Sequence, residues 1–251
     1  MKISLIIPCY NEQLNIQKGV LDKIGNFTLT NPKFNEVIII DDGSTDSSKE
    51  VIKTKYLKLF PKFRLIENSH QGKAFAVITG IKKAKGDFVL FSDMDLATPI
   101  EESEKLIENI DRFDIVIGSR SKNREGAPLS RKILAYLAIL VRSIAIGIKG
   151  VKDTQCGFKL FKTKVAKEII EKLLVFQKKR KTKGSSVSAG FDMEFLFIAS
   201  KMGCKIKEVP VVWRHVETKN VNFIKDALET LEDIVRIKYY YLTNKYEIGK
   251  K

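Results

Sequence analysis

Five short runs rich in isoleucine and valine recur through the first 120 residues: ISLIIP (3–8), EVIIID (36–41), FRLIEN (63–68), DFVLFSD (87–93) and DIVIGS (114–119). Apolar residues fill these runs without strict alternation, so both faces of each strand must be covered, as in a parallel sheet packed between helices. The intervening stretches, about 12–24, 46–59, 72–85 and 99–111, carry helical patterning. Ser44 or Thr45 can cap the second, and Pro99 opens the fourth with acids behind it. Strand and helix in alternation build βαβ units, and hence an α/β protein with a doubly wound, mostly parallel sheet flanked by helices.

After residue 120 the alternation loosens. A polar loop (121–130) leads into an apolar helix (130–148), the short run DTQCGFKLF (153–161), a helix at 163–174 and a basic loop (177–190). A helix at 191–202, a strand within KIKEVPVVW (205–213) and a long helix near 222–243 follow. In that last helix Ile224, Leu228, Leu231, Val235 and Lys238 keep helical spacing and define an amphipathic face. The expected organisation is one folded unit over 1–221, with halves at about 1–120 and 121–221, then an amphipathic helix and basic tail over 222–251.

With 44% hydrophobic residues the chain can bury a sizeable core. Lys and Arg number 45 against 30 acids, a net charge of +15 that calls for an anionic partner: nucleic acid, an acidic membrane surface or phosphorylated small molecules. The three cysteines, Cys9, Cys156 and Cys204, are isolated, which speaks against a disulfide framework or a zinc site and for a reducing compartment. Met1 leads almost directly into a strand-like run, so no signal peptide is expected. The longest apolar stretch (133–148) is interrupted by Arg142 and falls short of the roughly 20 residues a bilayer span needs, so no transmembrane helix is expected either.

Open α/β sheets bind ligands beyond the carboxyl ends of their strands. Three such ends here read IPCYNE, DDGSTD and SDMD. Taken singly, the first reads as a helix start, and the second reads equally well as a turn with a helix cap. Asp93 and Asp95 are the sharper signal: if the strand continues that far, residues two apart point to one side and the two acids repel. A hard divalent cation, Mg²⁺ or Mn²⁺, would relieve them, because such ions take one or two carboxylates plus substrate phosphates. A non-catalytic nucleic-acid-binding protein is the reading from another class. It suits the +15 charge, but a groove for polyphosphate would not be lined by Asp41, Asp42, Asp93 and Asp95 without metal.

Taken in order, IPCYNE, VIIIDDGSTD, GK (72–73), SDMD, GSR (118–120) and DTQCGFKLF resemble the family 2 glycosyltransferases of the GT-A fold. Within them the chain resembles the dolichyl-phosphate glucosyltransferase and dolichol-phosphate mannose synthase branch. VKDTQCGFKLF and AGFDMEFLFIA (189–199) point to the glucosyltransferase side. The resemblance implies that Pro8, Tyr10, Asn11, Glu12 and Asp42 hold the nucleoside of a nucleotide-sugar, UDP-glucose or GDP-mannose. It implies that Asp93 contacts metal and nucleotide, that Asp95 ligates the metal and that Gln155 is a third ligand. Lys73, at a helix start, is a candidate for the phosphates. Arg214, His215 and Lys219 fall loosely where the family places positive groups near the diphosphate. His70 reads as a loop residue outside the ligand set.

The resemblance further implies an inverting transfer of a hexose, glucose before mannose, to a polyprenyl or dolichyl phosphate. A phosphate acceptor is already anionic and needs guanidinium groups rather than a base; Arg120 and Arg131 are placed for it. Were the acceptor a sugar hydroxyl, a carboxylate base would be required, and Asp192 or Glu194 in GFDMEF could serve. Helix 130–148, the basic loop 178–183 and the basic C-terminal segment would hold the chain to the cytoplasmic face of an anionic membrane, with no nucleic acid involved.

Overall fold

The computed structural model describes residues 1–120, 147–148, 150–176, 189–214 and 223–248. The apolar helix expected at 130–148, Arg131 and the basic loop 178–183 lie almost wholly outside these residues, as do His215 and Lys219.

Seven strands, β1 (Ile3–Cys9), β2 (Phe34–Asp41), β3 (Phe63–Glu67), β4 (Phe88–Ser92), β5 (Ile115–Ser119), β6 (Phe158–Lys162) and β7 (Ile206–Pro210), form one sheet in the order β3-β2-β1-β4-β6-β5-β7. The pairs β3·β2, β2·β1, β1·β4 and β5·β7 are parallel; β6 alone runs antiparallel, to both β4 and β5. The lack of polar alternation has the expected physical cause. Leu5, Ile7, Val37 and Ile39 face one apolar layer, Ile6, Ile38 and Ile40 the other, and all are inaccessible to solvent. Burial of each such side chain is worth about 1.5–3 kcal/mol.

The helices depart from the simple reading in instructive ways. The first is two, α1 (Gln13–Gln17) and α2 (Val20–Thr30), because Gly19 between them takes φ of 75°, which breaks the helical path at a residue without Cβ. The second starts at Ser48 as α3 (Ser48–Val51) and continues through a π turn (Ile52–Tyr56) into α4 (Leu57–Leu59). Neither Ser44 nor Thr45 caps it. Ser44 Oγ accepts from the Asn11 amide at 3.0 Å and the Thr45 amide donates to Asn11 Oδ1 at 2.7 Å, so long-range stitching displaces local capping.

Helix α5 (Lys73–Lys83) falls as expected, and the segment after Pro99 is a 3₁₀ turn (Ile100–Glu102) followed by α6 (Ser103–Ile107). Helices α7 (Thr163–Glu171), α8 (Ala189–Lys201) and α9 (Phe223–Leu242) complete the described elements.

Helix α9 corrects the expected phase. Leu231 and Val235 of the face chosen from sequence are 50% and 66% exposed, whereas Ile234 and Ile237 enter the core beside α8. The helix carries two apolar stripes, and spacing alone cannot say which one packs. No helix among the described residues is long and apolar enough to cross a membrane.

Candidate active site

The carboxyl ends of β1, β2 and β4 converge where the strand order turns about β1, the place at which an open α/β sheet leaves a crevice. Asn11 sits at φ of 54°, a conformation Asn tolerates better than most residues. Its Oδ1 accepts from the amides of Thr45 and Asp46 at 2.7 and 3.2 Å, which binds the loop after β1 to the loop after β2. The Glu12 amide donates to Ser48 Oγ, and its carboxylate accepts from Asn15. Pro8 is buried within β1, paired with Ile40. Among the nucleoside candidates, Asn11 and Glu12 therefore build the loop, while Tyr10 is half-exposed at its rim.

Asp42 and His70 form one unit. His70 Nδ1 lies 2.9 Å from Asp42 Oδ2 and 3.0 Å from the Asp42 carbonyl, while the amides of Gln71 and Gly72 donate to the same carboxylate. Burial pushes the Asp42 carboxyl up, against those amides and His70, which pull it down. The His70 ring stacks on Tyr10 with centroids 4.1 Å apart and planes inclined by 16°. Sequence reasoning set His70 aside; the only signal for it was an imidazole in the loop before the GK pair.

Strand β4 ends at Ser92, so Asp93 and Asp95 stand in the turn beyond it and not on an extended strand. The positive charge that the two acids demand comes from the protein: Lys73 Nζ lies 2.5 Å from Asp93 Oδ1 as an ion pair. Asp95 Oδ1 accepts the Ala97 amide at 3.0 Å, and burial, then the field of Asp93, pushes its carboxyl up. Burial works to lower the Lys73 ammonium, and Asp93, Asp192 and Asp95 outweigh it to raise it.

Lys159 on β6, 2% exposed, donates to Asp192 at 2.7 Å and to the Cys156 carbonyl at 2.5 Å. Both lysines flank the Phe91 ring, at 5.3 and 6.0 Å from its centroid. Just before β6 the backbone of Gly157 presses on the Asp93 carboxylate so closely that a Cβ there would stand 2.1 Å from Oδ2.

These residues suit a hard divalent cation. Asp93 Oδ1 is buried with the Lys73 ammonium as its ion-pair partner, and the donors at hand are carboxylate oxygens. Gln155, half-buried two residues before Gly157, adds an amide oxygen on the same segment. Among the described residues no group of three or more His, Cys, Asp or Glu is arranged to hold a metal ion.

Arg120, just past β5, is engaged. Its Nε and Nη2 donate to Asp153 at 2.8 and 2.7 Å, and its own amide donates to the same carboxylate at 2.9 Å. Burial works to raise the Asp153 carboxyl, but Arg120 outweighs it and holds it below the ordinary range. Glu194 is fully buried and accepts from the amides of Leu174, Val175 and Phe176 and from the Tyr246 hydroxyl, which removes it as a base candidate. Arg214 is exposed, and its amide donates to Ala97 at 2.8 Å. This places Trp213, unnoticed in sequence, against the cleft lined by Ser92, Asp93, Asp95, Ala97, Thr98 and Gly157.

The family model for glycosyl transferase family 2 matches residues 4–170. The chain is 33% identical to a dolichyl-phosphate beta-glucosyltransferase of Dictyostelium discoideum, over 98% of this chain and 76% of that one. It is 30% identical to the dolichyl-phosphate beta-glucosyltransferase of Saccharomyces cerevisiae, over 99% and 78%. Among solved structures, a Pyrobaculum calidifontis mannosyltransferase in complex with GDP-Man and Mn²⁺ superposes with a TM-score of 0.64 at 20% identity, covering 99% of this chain and 65% of that one. The glucosyl-3-phosphoglycerate synthase of Mycobacterium tuberculosis, in complex with Mn²⁺ and UDP-Glc, gives 0.68 at 16%, covering 94% and 78%. At such identities the two structures establish the shared GT-A fold, while the family model and the curated relatives establish the lineage: the chain belongs to glycosyl transferase family 2.

Proposed function

We propose that the protein transfers glucose from UDP-glucose to the phosphate of a polyprenol such as dolichyl phosphate, with inversion at the anomeric carbon. The observation that carries this reading is the pair Asp93 and Asp95, faced by Lys73 at the strand ends, in a chain related along nearly its whole length to dolichyl-phosphate beta-glucosyltransferases. An acceptor phosphate oxygen attacks the sugar's anomeric carbon as the bond from that carbon to the diphosphate breaks, and UDP departs with the bonding pair.

Each described residue then has a task. Tyr10 and the Asp42–His70 unit border the nucleoside, with Pro8, Asn11 and Glu12 shaping the loop that carries them. Lys73 exchanges its partner, leaving Asp93 for the diphosphate, where its charge offsets the negative charge that builds up on departure. Asp93, Asp95 and Gln155 would hold Mg²⁺ or Mn²⁺, which when bound neutralises the diphosphate and makes it a better leaving group.

Arg120, oriented by Asp153, keeps guanidinium donors for the acceptor phosphate, and Arg131, outside the described residues, is proposed to share that task. A phosphate acceptor requires no base. Glu194 is locked and Asp192 already accepts from buried Lys159, which favours this acceptor over a sugar hydroxyl. The protein meets the lipid as a peripheral enzyme on the cytoplasmic face, drawn by its +15 charge to anionic headgroups at roughly 1 kcal/mol per basic residue near the surface.

The test is a panel of UDP-glucose, UDP-galactose and GDP-mannose with a short polyprenyl phosphate, scoring glycolipid and free nucleotide with and without EDTA. UDP-glucose should dominate, chelation should abolish turnover, and Asp95→Ala should do the same in a folded protein. Turnover indifferent to EDTA would remove the metal role, and glycolipid formed only from GDP-mannose would reassign the donor.

A further inference from the structure

Strand β7 is parallel to β5 and ends at the same edge of the sheet as the acids. The four residues that follow it are pinned almost one by one. The Val211 amide donates to the Ser119 carbonyl at 3.1 Å, that of Val212 to Glu102 Oε2 at 2.9 Å, and that of Arg214 to the Ala97 carbonyl at 2.8 Å. These bonds fix the backbone on both sides of Trp213. The indole is half-buried and lines the cleft that holds both carboxylates.

Apart from that ring, the described residues that line the cleft are small or acidic: Ser92, Asp93, Asp95, Ala97, Thr98 and Gly157. The acids account for a metal and a diphosphate, but neither has use for a flat apolar plate. A pyranose does. Its hydroxyls project from the rim of the ring, while its faces present C–H groups that pack on an aromatic π surface, and indole offers the largest such surface among side chains. In a gluco-configured donor only the anomeric diphosphate is axial and every other substituent is equatorial, so the face opposite the diphosphate stays clear. An axial hydroxyl at C2 or C4, as in the manno or galacto series, places a polar group on one face and weakens the contact.

We propose that Trp213 is the platform for the donor hexose and favours a gluco-configured sugar. The proposal rests on the reading of this cleft as the nucleotide-sugar site.

Trp213 is the single tryptophan of the chain, so its fluorescence reports on this position alone. The protein with Mn²⁺ is titrated with UDP, UDP-glucose and UDP-galactose, following both emission and calorimetric affinity. UDP-glucose should alter Trp213 emission well beyond the change that saturating UDP produces. Trp213→Leu should weaken UDP-glucose about three- to tenfold while leaving UDP unchanged, the range expected for loss of one aromatic stack. The same variant should erase the preference for UDP-glucose over UDP-galactose, and Trp213→Phe should preserve most of it.

Equal emission changes with UDP and UDP-glucose, or equal loss of both ligands in Trp213→Leu, would overturn the proposal while the donor site stood. A response to polyprenyl phosphate alone would move the indole to the acceptor side and overturn it as well. Absence of calorimetric binding by either nucleotide would instead bring down the reading of the cleft itself, and this inference with it.

Discussion

Glu194 shows how a carboxylate can resemble a catalytic base in sequence and serve as a fastener in the fold. In space its oxygens take three backbone amides after α7 and the Tyr246 hydroxyl. Burial raises its carboxyl, and those donors pull it down. Glu194→Ala would leave several buried donors without partners, each costing about 1–3 kcal/mol. Urea unfolding should therefore register a loss of about 3 kcal/mol or more; a loss under about 1 kcal/mol would show that water replaces the carboxylate at little cost. Asp192, two residues earlier on the same helix, is held by Lys159 from strand β6. Such pairings join residues about thirty positions apart, and nothing in GFDMEF announces them. Lys159 itself sits in FKLF as an unremarkable strand lysine until the fold buries it.

Strands were far more legible than helices. Every apolar run of the first half became a strand because cover on both faces leaves a continuous signature. The π turn within the second helix and the break at Gly19 arise from packing and from one backbone angle, and propensity carries little trace of either. Position along an element also decided what the acids do. The turn after β4 presents Asp93 to Lys73, and the segment just before β6 brings Gly157 against the same carboxylate. An alanine at 157 would force Asp93 aside by more than an ångström. Gly157→Ala should lower kcat by about tenfold or more, since displacements of that order disrupt reacting geometry, while its melting temperature stays close to that of the parent. Full activity with unchanged metal affinity would show that Asp93 is not held in a required position.

Across the whole molecule, the two edges of the sheet have different duties. At the amino edge Glu36, 4% exposed, accepts from Ser4 Oγ at 2.7 Å, from the Lys85 amide at 2.8 Å and from Arg64, tying three strands and a loop together. Burial works to raise the Glu36 carboxyl, and Ser4, Lys85 and Arg64 outweigh it, so the folded value lies below the ordinary 4.5. Its stabilisation is therefore present above about 4.5 and is lost as pH falls through the lower, folded value. The stability gap between the protein and Glu36→Gln, measured in urea, should narrow below that pH; a gap constant down to about pH 3 would show no such linkage. At the carboxyl edge, β6 returns between β4 and β5, so the chain departs after Ser119 and re-enters at Phe158 side by side, with Arg120 and Asp153 clasping the root of the excursion. An insertion rooted in this manner can lengthen, shrink or be exchanged during evolution without shifting any strand's register. Under the proposed function, the recipient of the sugar is then free to diversify on a chassis whose pyrophosphate end stays constant.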